Sequence, residues 1–366
     1  MVGAVLPAEV RHQTGGKLSK PGSMAAYLLQ RLLLLIPTLI GITLICFLVV
    51  RLAPGDPAEL MAGGGLKGAA GAGLSLQKRS VVEQALAEWR ALYGLDKPLH
   101  VQYLVWLKNL SQVDFGNSFK DRRPVWEKIR ERLPVTIKLN FFSILLVYLV
   151  AIPLGIYSAT HANTLGDQIT TVAAFVLFAV PLVWAATMAI VFICGGDFLY
   201  LFPPGGLTSI DYEPEWPLWE KIGDQTWHLF LPVVLLSYAG FAGLSRYMRS
   251  SMLEVLRQDY VQVARAKGLS ERVVILKHVL RNSLIPQVTI LAEILPGLIG
   301  GSVIIETVFS IPGLGQLGFE AVLARDYPIV LALLTVTALL TLIGILLSDI
   351  LLAAVDPRIA FGRRGE

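Results

Sequence analysis

Six stretches of this chain are apolar over the length a helix needs to cross a lipid bilayer. A hydrocarbon core of about 30 Å takes about 20 residues of α-helix. The stretches are residues 32–50 (fenced by Arg31 and Arg51), 139–159, 169–194, 229–244, 284–305 and 329–355. The fourth is the weakest, because Pro232, Gly240 and Gly243 interrupt it and Arg246 limits it. Composition agrees: 54% of the 366 residues are hydrophobic and only 16% are charged, with mean hydropathy +0.63. That charge density is too thin to cover a soluble protein of this size. The expectation is an all-α polytopic membrane protein with six transmembrane helices. The first run is too long for a signal-peptide core, and no small-x-small cleavage site follows it. Cys46 and Cys194 both lie inside apolar runs and read as small packing residues.

Orientation follows from Lys and Arg in the short loops. Residues 245–283 carry eight basic and three acidic side chains, whereas residues 196–228 carry one basic and six acidic. The first segment is therefore expected in the cytoplasm, the second outside, and both termini inside. The loop 52–138 holds thirteen basic residues yet must be external; the charge rule weakens for loops longer than about 60 residues. A net charge of +4 is too small to imply a nucleic-acid partner.

The long external loop carries helix signals. Ser80-Val81-Val82-Glu83 is a capping box, followed by Val82, Leu86, Trp89 and Leu92 at helical spacing. A second helix is expected around Tyr103, Trp106, Leu107 and Leu110. Pro124 can open a third, leading through Val125, Ile129 and Leu133 into the second span. The loop reads either as a lid packed on the membrane surface or as a docking surface for an external partner. Residues 63–75 form a Gly/Ala-rich insert, and residues 1–26 an N-terminal cytoplasmic extension expected to be disordered. Trp216, Trp219 and Trp227 in the second external loop read as an interface belt.

Residues 245–283 are the most informative. Met252, Val255, Leu256, Tyr260, Val263 and Ala264 recur at three- and four-residue spacing, which predicts one amphipathic helix. Gly268 can turn the chain, and Ser270 can cap a second helix carrying Val273, Val274 and Leu276. The product is a helix–Gly–helix elbow with an apolar stripe ringed by Arg and Lys. Two readings stay open on these residues alone: an interfacial helix on anionic lipid, or an elbow that fits a groove on a soluble partner.

Asp259-Tyr260-Val261-Gln262-Val263-Ala264-Arg265-Ala266-Lys267-Gly268, with Lys277-His278-Val279-Leu280-Arg281-Asn282-Ser283, resembles the EAA-type coupling loop of bacterial ABC importer permeases. Within that family it is most similar to the dipeptide/oligopeptide/nickel branch. Asp114-Phe115-Gly116-Asn117-Ser118, Glu131-Arg132-Leu133-Pro134-Val135-Thr136, Glu306-Thr307-Val308-Phe309, Pro312-Gly313-Leu314-Gly315, Arg325-Asp326-Tyr327-Pro328 and Asp356-Pro357-Arg358 resemble further stretches of that branch, in the same order. The resemblance covers about residues 27–359, and the long first loop points to the B-type member of the permease pair. Gln262 and Val263 depart from the motif, standing where it has Glu and its first Ala.

The resemblance implies a type I importer permease in the bacterial cytoplasmic membrane: a first helix at 27–51, an external helical loop at 52–138, a five-helix core at 139–359 and a tail at 360–366. It implies a second permease, two ATPase subunits and a periplasmic or lipid-anchored substrate-binding protein as partners. ATP and magnesium would belong to the ATPases; this chain has no Gly-x-x-x-x-Gly-Lys-Ser/Thr and is expected to hold no cofactor, metal or catalytic residue of its own. The coupling residues implied are Asp259, Tyr260, Ala264, Arg265, Ala266, Lys267 and Gly268. Tyr260, Ala264 and Ala266 would pack on the ATPase, with Gly268 as the turn and Arg265 or Lys267 as rim charges. Ionisable groups in spans are candidates for the solute path. Glu293 and Asp349 are the two: Glu293 reads either as a path-lining carboxylate or as a buried group paired locally, and Asp349, near the cytoplasmic end of its span, either as a pathway group or, more readily, as structural. Glu306 with Phe309, Pro312 and Gly313 reads as a re-entrant, gate-like segment or as plain packing. A self-contained secondary transporter is the alternative. A membrane enzyme is disfavoured, because the five His are scattered without metal spacing.

Overall fold

The computed structural model describes residues 24–52, 84, 96–195, 198–294, 297 and 302–355. Those residues are helical throughout their regular structure, with a single isolated β-bridge between Asn117 and Pro124. The expected capping-box helix at 80–94 (apart from Gln84), the insert 63–75, the N-terminal extension and the C-terminal tail lie outside the described residues.

The first apolar run lies within α1 (Met24–Leu52). The external loop returns to it through α2 (Leu99–Ser111). Tyr103 Oη lies 3.1 Å from Thr43 Oγ1, and the Phe47 ring packs against those of Tyr103 and Trp106 at centroid distances of 5.5 and 5.9 Å. Pro124 opens α3 (Val125–Thr160), whose 36 residues run unbroken into the second apolar stretch. At about 1.5 Å per residue the helix is longer than a bilayer core is thick, so its charged first turns stand outside the apolar layer.

The third stretch, expected as one span over 169–194, is broken. α4 (Leu165–Ala179) and α5 (Leu182–Ala189) meet at 90°, and a π-helical turn continues to Cys194. Pro181 is the cause: it has no N–H to donate and forces Val180 to φ −77°, ψ 123°. The bend costs no orphaned carbonyl at Val180, because Tyr238 Oη donates to that oxygen at 2.6 Å.

The weakly apolar fourth stretch lies inside the longest helix, α6 (Leu218–Leu256), which passes through Pro232. α3 and α6 form the most extensive helix pair in the bundle. They approach so closely that a Cβ at Gly155 would stand 2.5 Å from Met248 Cβ, the small-residue contact that lets apolar helices pack by shape alone. The Ser143 and Ser237 hydroxyls bond across the same interface at 3.0 Å.

Beyond α6 come α7 (Asp259–Ala266), α8 (Glu271–Val273), a π-helical stretch (Val274–Val279), α9 (Leu280–Ser283) and α10 (Ile285–Ile294). The fifth run, expected as one helix over 284–305, is not continuous. Ser302 leaves helical geometry at φ −104°, ψ 77°, and a separate short helix, α11 (Val303–Val308), follows. α12 (Leu314–Leu323) and α13 (Tyr327–Val355) complete the chain, and α13 packs on α1. There Arg31 Nε and Asp349 Oδ2 form an ion pair of 3.2 Å. Among the described residues four helices are long and apolar enough to cross a membrane, or five if the α4–α5 pair counts as one span. Large apolar side chains stand exposed along α1, α3 and α4, as lipid- or protein-facing surfaces require.

Candidate functional site

The elbow is built on the ends of the two longest core helices. The single amphipathic helix expected across 252–264 is two helices, because α6 stops at Leu256 and Gln258 is extended (φ −72°, ψ 146°) before α7 begins. The break changes which residues face inward. Val261 and Ala264 are buried, in one cluster with Met248 and Met252 of α6, Ala159 of α3, and Val274 and Val279. Ala264, expected to pack on a partner, thus packs on its own chain. Tyr260 and Val263, expected on the same apolar face, are 42% and 51% exposed, and Ala266, Lys267, Leu269 and Leu276 are exposed with them. Asp259 opens α7 on the surface.

The turn closes as a Schellman motif: Leu269 N–H donates to Ala264 O at 3.4 Å, and Gly268 N–H to Arg265 O at 2.9 Å. Gly268 sits at φ +77°, where an L side chain is disfavoured, although a Cβ there would meet nothing within 4 Å. Ser270 occupies the cap position of α8 without a side-chain cap bond. Arg265 ties the two sides together instead, with Nη2 2.6 Å and Nε 3.2 Å from the Glu271 carboxylate. The Arg265 hydrogen bond holds the Glu271 carboxyl below its usual range and raises Arg265 in turn. Asn282 Nδ2 donates to Tyr260 Oη at 2.7 Å, and Ser251 Oγ to Ser283 O at 3.1 Å, so the returning chain is fastened to both α7 and α6.

An ion pair between buried Asp167 and half-buried Arg249 stands at this end of the bundle. Asp167 accepts from Arg249 Nε at 2.9 Å and Nη2 at 2.8 Å, from the Ser158 hydroxyl, and from Asn163 N–H at 2.9 Å. It joins α3, α4 and α6 at the base of the elbow. Thr164, three residues before Asp167, caps α4 by accepting the Asp167 N–H at 3.4 Å. The Thr-x-x-Asp spacing is a readable helix start; the pairing with Arg249, 82 residues away, has no local signal.

At the opposite end, separated motifs meet. Glu306 is fully buried and accepts from Thr136 Oγ1 at 2.9 Å, Ser302 N–H at 3.2 Å and Gln316 N–H at 2.9 Å. Gln316 is in the first turn of α12, whose cap residue Gly313 has no side chain to offer, so the Glu306 carboxylate supplies the cap from afar. A Cβ at Gly313 would stand 2.6 Å from Glu306 Oε1. Phe309 is buried in the core with Leu139, Leu229 and Ile311, and Pro312 is half-buried beside it. The segment Glu306, Phe309, Pro312, Gly313 is thus fixed by packing and by a shared carboxylate. Asp326 plays a parallel part: it accepts from the Ser118 hydroxyl and from the Phe119 N–H at 3.0 Å, joining the Asp114–Ser118 motif to the Arg325–Pro328 motif. Nearby, burial would raise the Asp121 carboxyl, but hydrogen bonds from Lys128 Nζ (2.6 Å) and Arg123 N–H (3.2 Å) outweigh it and lower the group.

Asp349 is engaged by Arg31, and Glu293 lies on α10 with its side chain outside the described residues. Among the described residues no group of three or more His, Cys, Asp or Glu could hold a metal ion.

Comparison with known proteins places these elements in a family. Residues 151–361 match the family described as binding-protein-dependent transport system inner membrane component, and residues 24–140 match its N-terminal membrane-component family. The oligopeptide transport system permease protein AppB of Bacillus subtilis is 40% identical over 339 residues, 92% of this chain and 100% of that protein. The inner membrane ABC transporter permease protein YejB of Escherichia coli O157:H7 is 37% identical over 93% of this chain and 100% of its own. The dipeptide transport system permease protein DppB of Escherichia coli K12 is 34% identical over 92% of this chain and 99% of its own. Among solved structures, a chain of the MetNI methionine ABC transporter is similar at 16% identity and TM-score 0.47, covering 62% of this chain and 96% of that one. The family match, the full-length relatives and the run of apolar helices together make the chain a multi-pass protein of the cytoplasmic membrane, and it belongs to the family of binding-protein-dependent ABC transport permeases.

Proposed function

We propose that this chain is the peptide-importing permease subunit of such a system, and that the elbow around Gly268 couples it to separate ATPase subunits. The observation that carries the reading is the two-sided construction of the elbow. Val261 and Ala264 seat it on α3 and α6, while Tyr260, Val263, Ala266, Leu269 and Leu276 stay uncovered on this chain beside Asp259, Arg265 and Lys267. A rigid base with an uncovered apolar face fits a groove on a second protein. Full-length relatives named for oligopeptide and dipeptide transport support peptides as the solute.

In this reading six spans place both termini in the cytoplasm. A second permease forms a heterodimer with this chain, two ATPases bind the elbows, and a substrate-binding protein docks outside. ATP hydrolysis belongs to the ATPases; the elbow performs no chemistry. It transmits a difference in ATPase contact between two conformations, which is all that a coupling element can contribute. Glu306, Phe309, Pro312 and Gly313 brace the external hairpin, and Glu293 is the carboxylate left for the solute path. Asp349 joins α1 to α13.

The test uses the assembled complex in proteoliposomes with labelled dipeptide and oligopeptide. Gly268→Val is expected to leave assembly intact and to lower both uptake and substrate-stimulated ATP hydrolysis at least tenfold. Unchanged uptake and hydrolysis in that variant would remove the elbow from the mechanism. Uptake by the chain without ATPases would favour the secondary-transporter reading.

A further inference from the structure

At the elbow end of the bundle, a cleft of about 580 Å³ opens between α4 and the last turns of α6. Its walls are Thr171, Phe175, Arg246, Tyr247, Arg249 and Ser250, and Gly243 forms part of its floor, with open space where a side chain would stand. The two arginines differ. Arg249 is paired with Asp167 through the Nε–Nη2 edge of its guanidinium. Arg246 has no carboxylate partner among the described residues; its guanidinium is held 4.5 Å over the Phe175 ring. A cation–π contact orients that charge without neutralising it. Three hydroxyls, from Thr171, Tyr247 and Ser250, share the cleft with it.

The rim is apolar in one direction only. Phe175 and Phe178 follow Thr171 at four- and three-residue spacing along α4 and are both exposed, running from the cleft toward the bend at Pro181. A small polar solute would gain nothing from that stripe. An amphiphile with an anionic head and an acyl tail matches both halves: the head meets Arg246 and the hydroxyls, and the tail follows α4 toward the middle of the bilayer. We propose that this cleft is a binding site for the headgroup of an anionic phospholipid of the cytoplasmic leaflet. Basic pockets between membrane helices on the cytoplasmic side are suited to such headgroups. The site is independent of the transported solute and of the role of Gly268.

The experiment photolabels the intact transporter complex with a phosphatidylglycerol carrying a crosslinker on its acyl chain, and maps the labelled peptides. Label is expected on residues 165–179 and 246–256. Unlabelled phosphatidylglycerol should compete, whereas phosphatidylcholine and inorganic phosphate should not. Arg246→Gln should weaken labelling about fivefold, the effect of one basic residue at an anionic surface, with Arg246→Lys between it and the parent. Gly243→Leu, which fills the floor without changing charge, should weaken it at least as much. The proposal is overturned by unchanged labelling in both Arg246→Gln and Gly243→Leu, or by equal competition from phosphatidylcholine. Competition by inorganic phosphate would make it a free-anion site. Competition by a transported peptide would make the cleft part of the solute path. Absence of label from residues 165–179 and 246–256 in the intact complex would likewise overturn it.

Discussion

Single residues carry more of this architecture than their neighbours suggest. Glu306 satisfies three donors with two oxygens, so replacing one oxygen by an amide group leaves a buried N–H or hydroxyl without an acceptor. Glu306→Gln should therefore lower stability by about 1–3 kcal/mol, the cost of an unsatisfied buried group. Gly313→Ala should act at the same spot by displacing the carboxylate, with overpacking of about 1–3 kcal/mol. Thermal unfolding of the detergent-solubilised chain checks both, and the double variant should fall short of the sum, since both break one contact. The sequence marks Glu306 as an ionisable group at the end of an apolar run and marks Gly313 as part of a motif. It gives no sign that the two touch, because their contact depends on the Phe309–Pro312 segment folding back on α3.

Elements show where local rules hold and where packing overrides them. The break at Pro181 obeys a local rule that an apolar-run count ignores: proline disfavours helix at the residue before it. What the sequence does not show is the partner that makes the break tolerable, the Tyr238 hydroxyl on α6. Tyr238→Phe should leave the Val180 carbonyl unpaired and cost about 1–3 kcal/mol, read as a lower melting temperature with α-helical content unchanged. The elbow is the reverse case. The three- and four-residue spacing across 252–264 is real, yet Arg257 and Gln258 reset the helical phase, so Val261 and Ala264 turn inward and Tyr260 and Val263 outward.

The Arg265–Glu271 pair sets a pH window for the elbow. Glu271 has a folded-state pKa below its unfolded value, so its contribution is present above about pH 4.3, the ordinary Glu value, and is lost as pH falls through the folded value. Hydrogen-exchange protection of residues 259–271, corrected for intrinsic rates, should be level from pH 7 to pH 5 and decline below that. Glu271→Gln should be less protected at neutral pH and should lack the acid decline.

At the scale of the whole molecule the proposed topology makes a direct prediction. In a chain with Cys46 and Cys194 replaced by Ala, Ile210→Cys should react with an impermeant maleimide in intact cells, since that position is fully exposed. Ser270→Cys should react only after the membrane is permeabilised. Reaction of both from the same side would refute the orientation drawn from the charges of 196–228 and 245–283.

The sequence by itself determined what is local or repeated along the chain. Apolar length required membrane helices, charge asymmetry set an expected orientation, Gly268 marked a turn, and ordered motifs pointed to the family. Those features are written in neighbouring residues, where helix period, backbone sterics and burial in lipid act directly. Only the tertiary structure decided which side chains meet: Thr136 with Glu306, Ser118 with Asp326, Asp167 with Arg249, Tyr238 with Val180. Each of these joins residues 58 to 208 positions apart. Buried polar groups must find partners wherever the packed helices bring them, and that placement is a property of the bundle rather than of any segment in it.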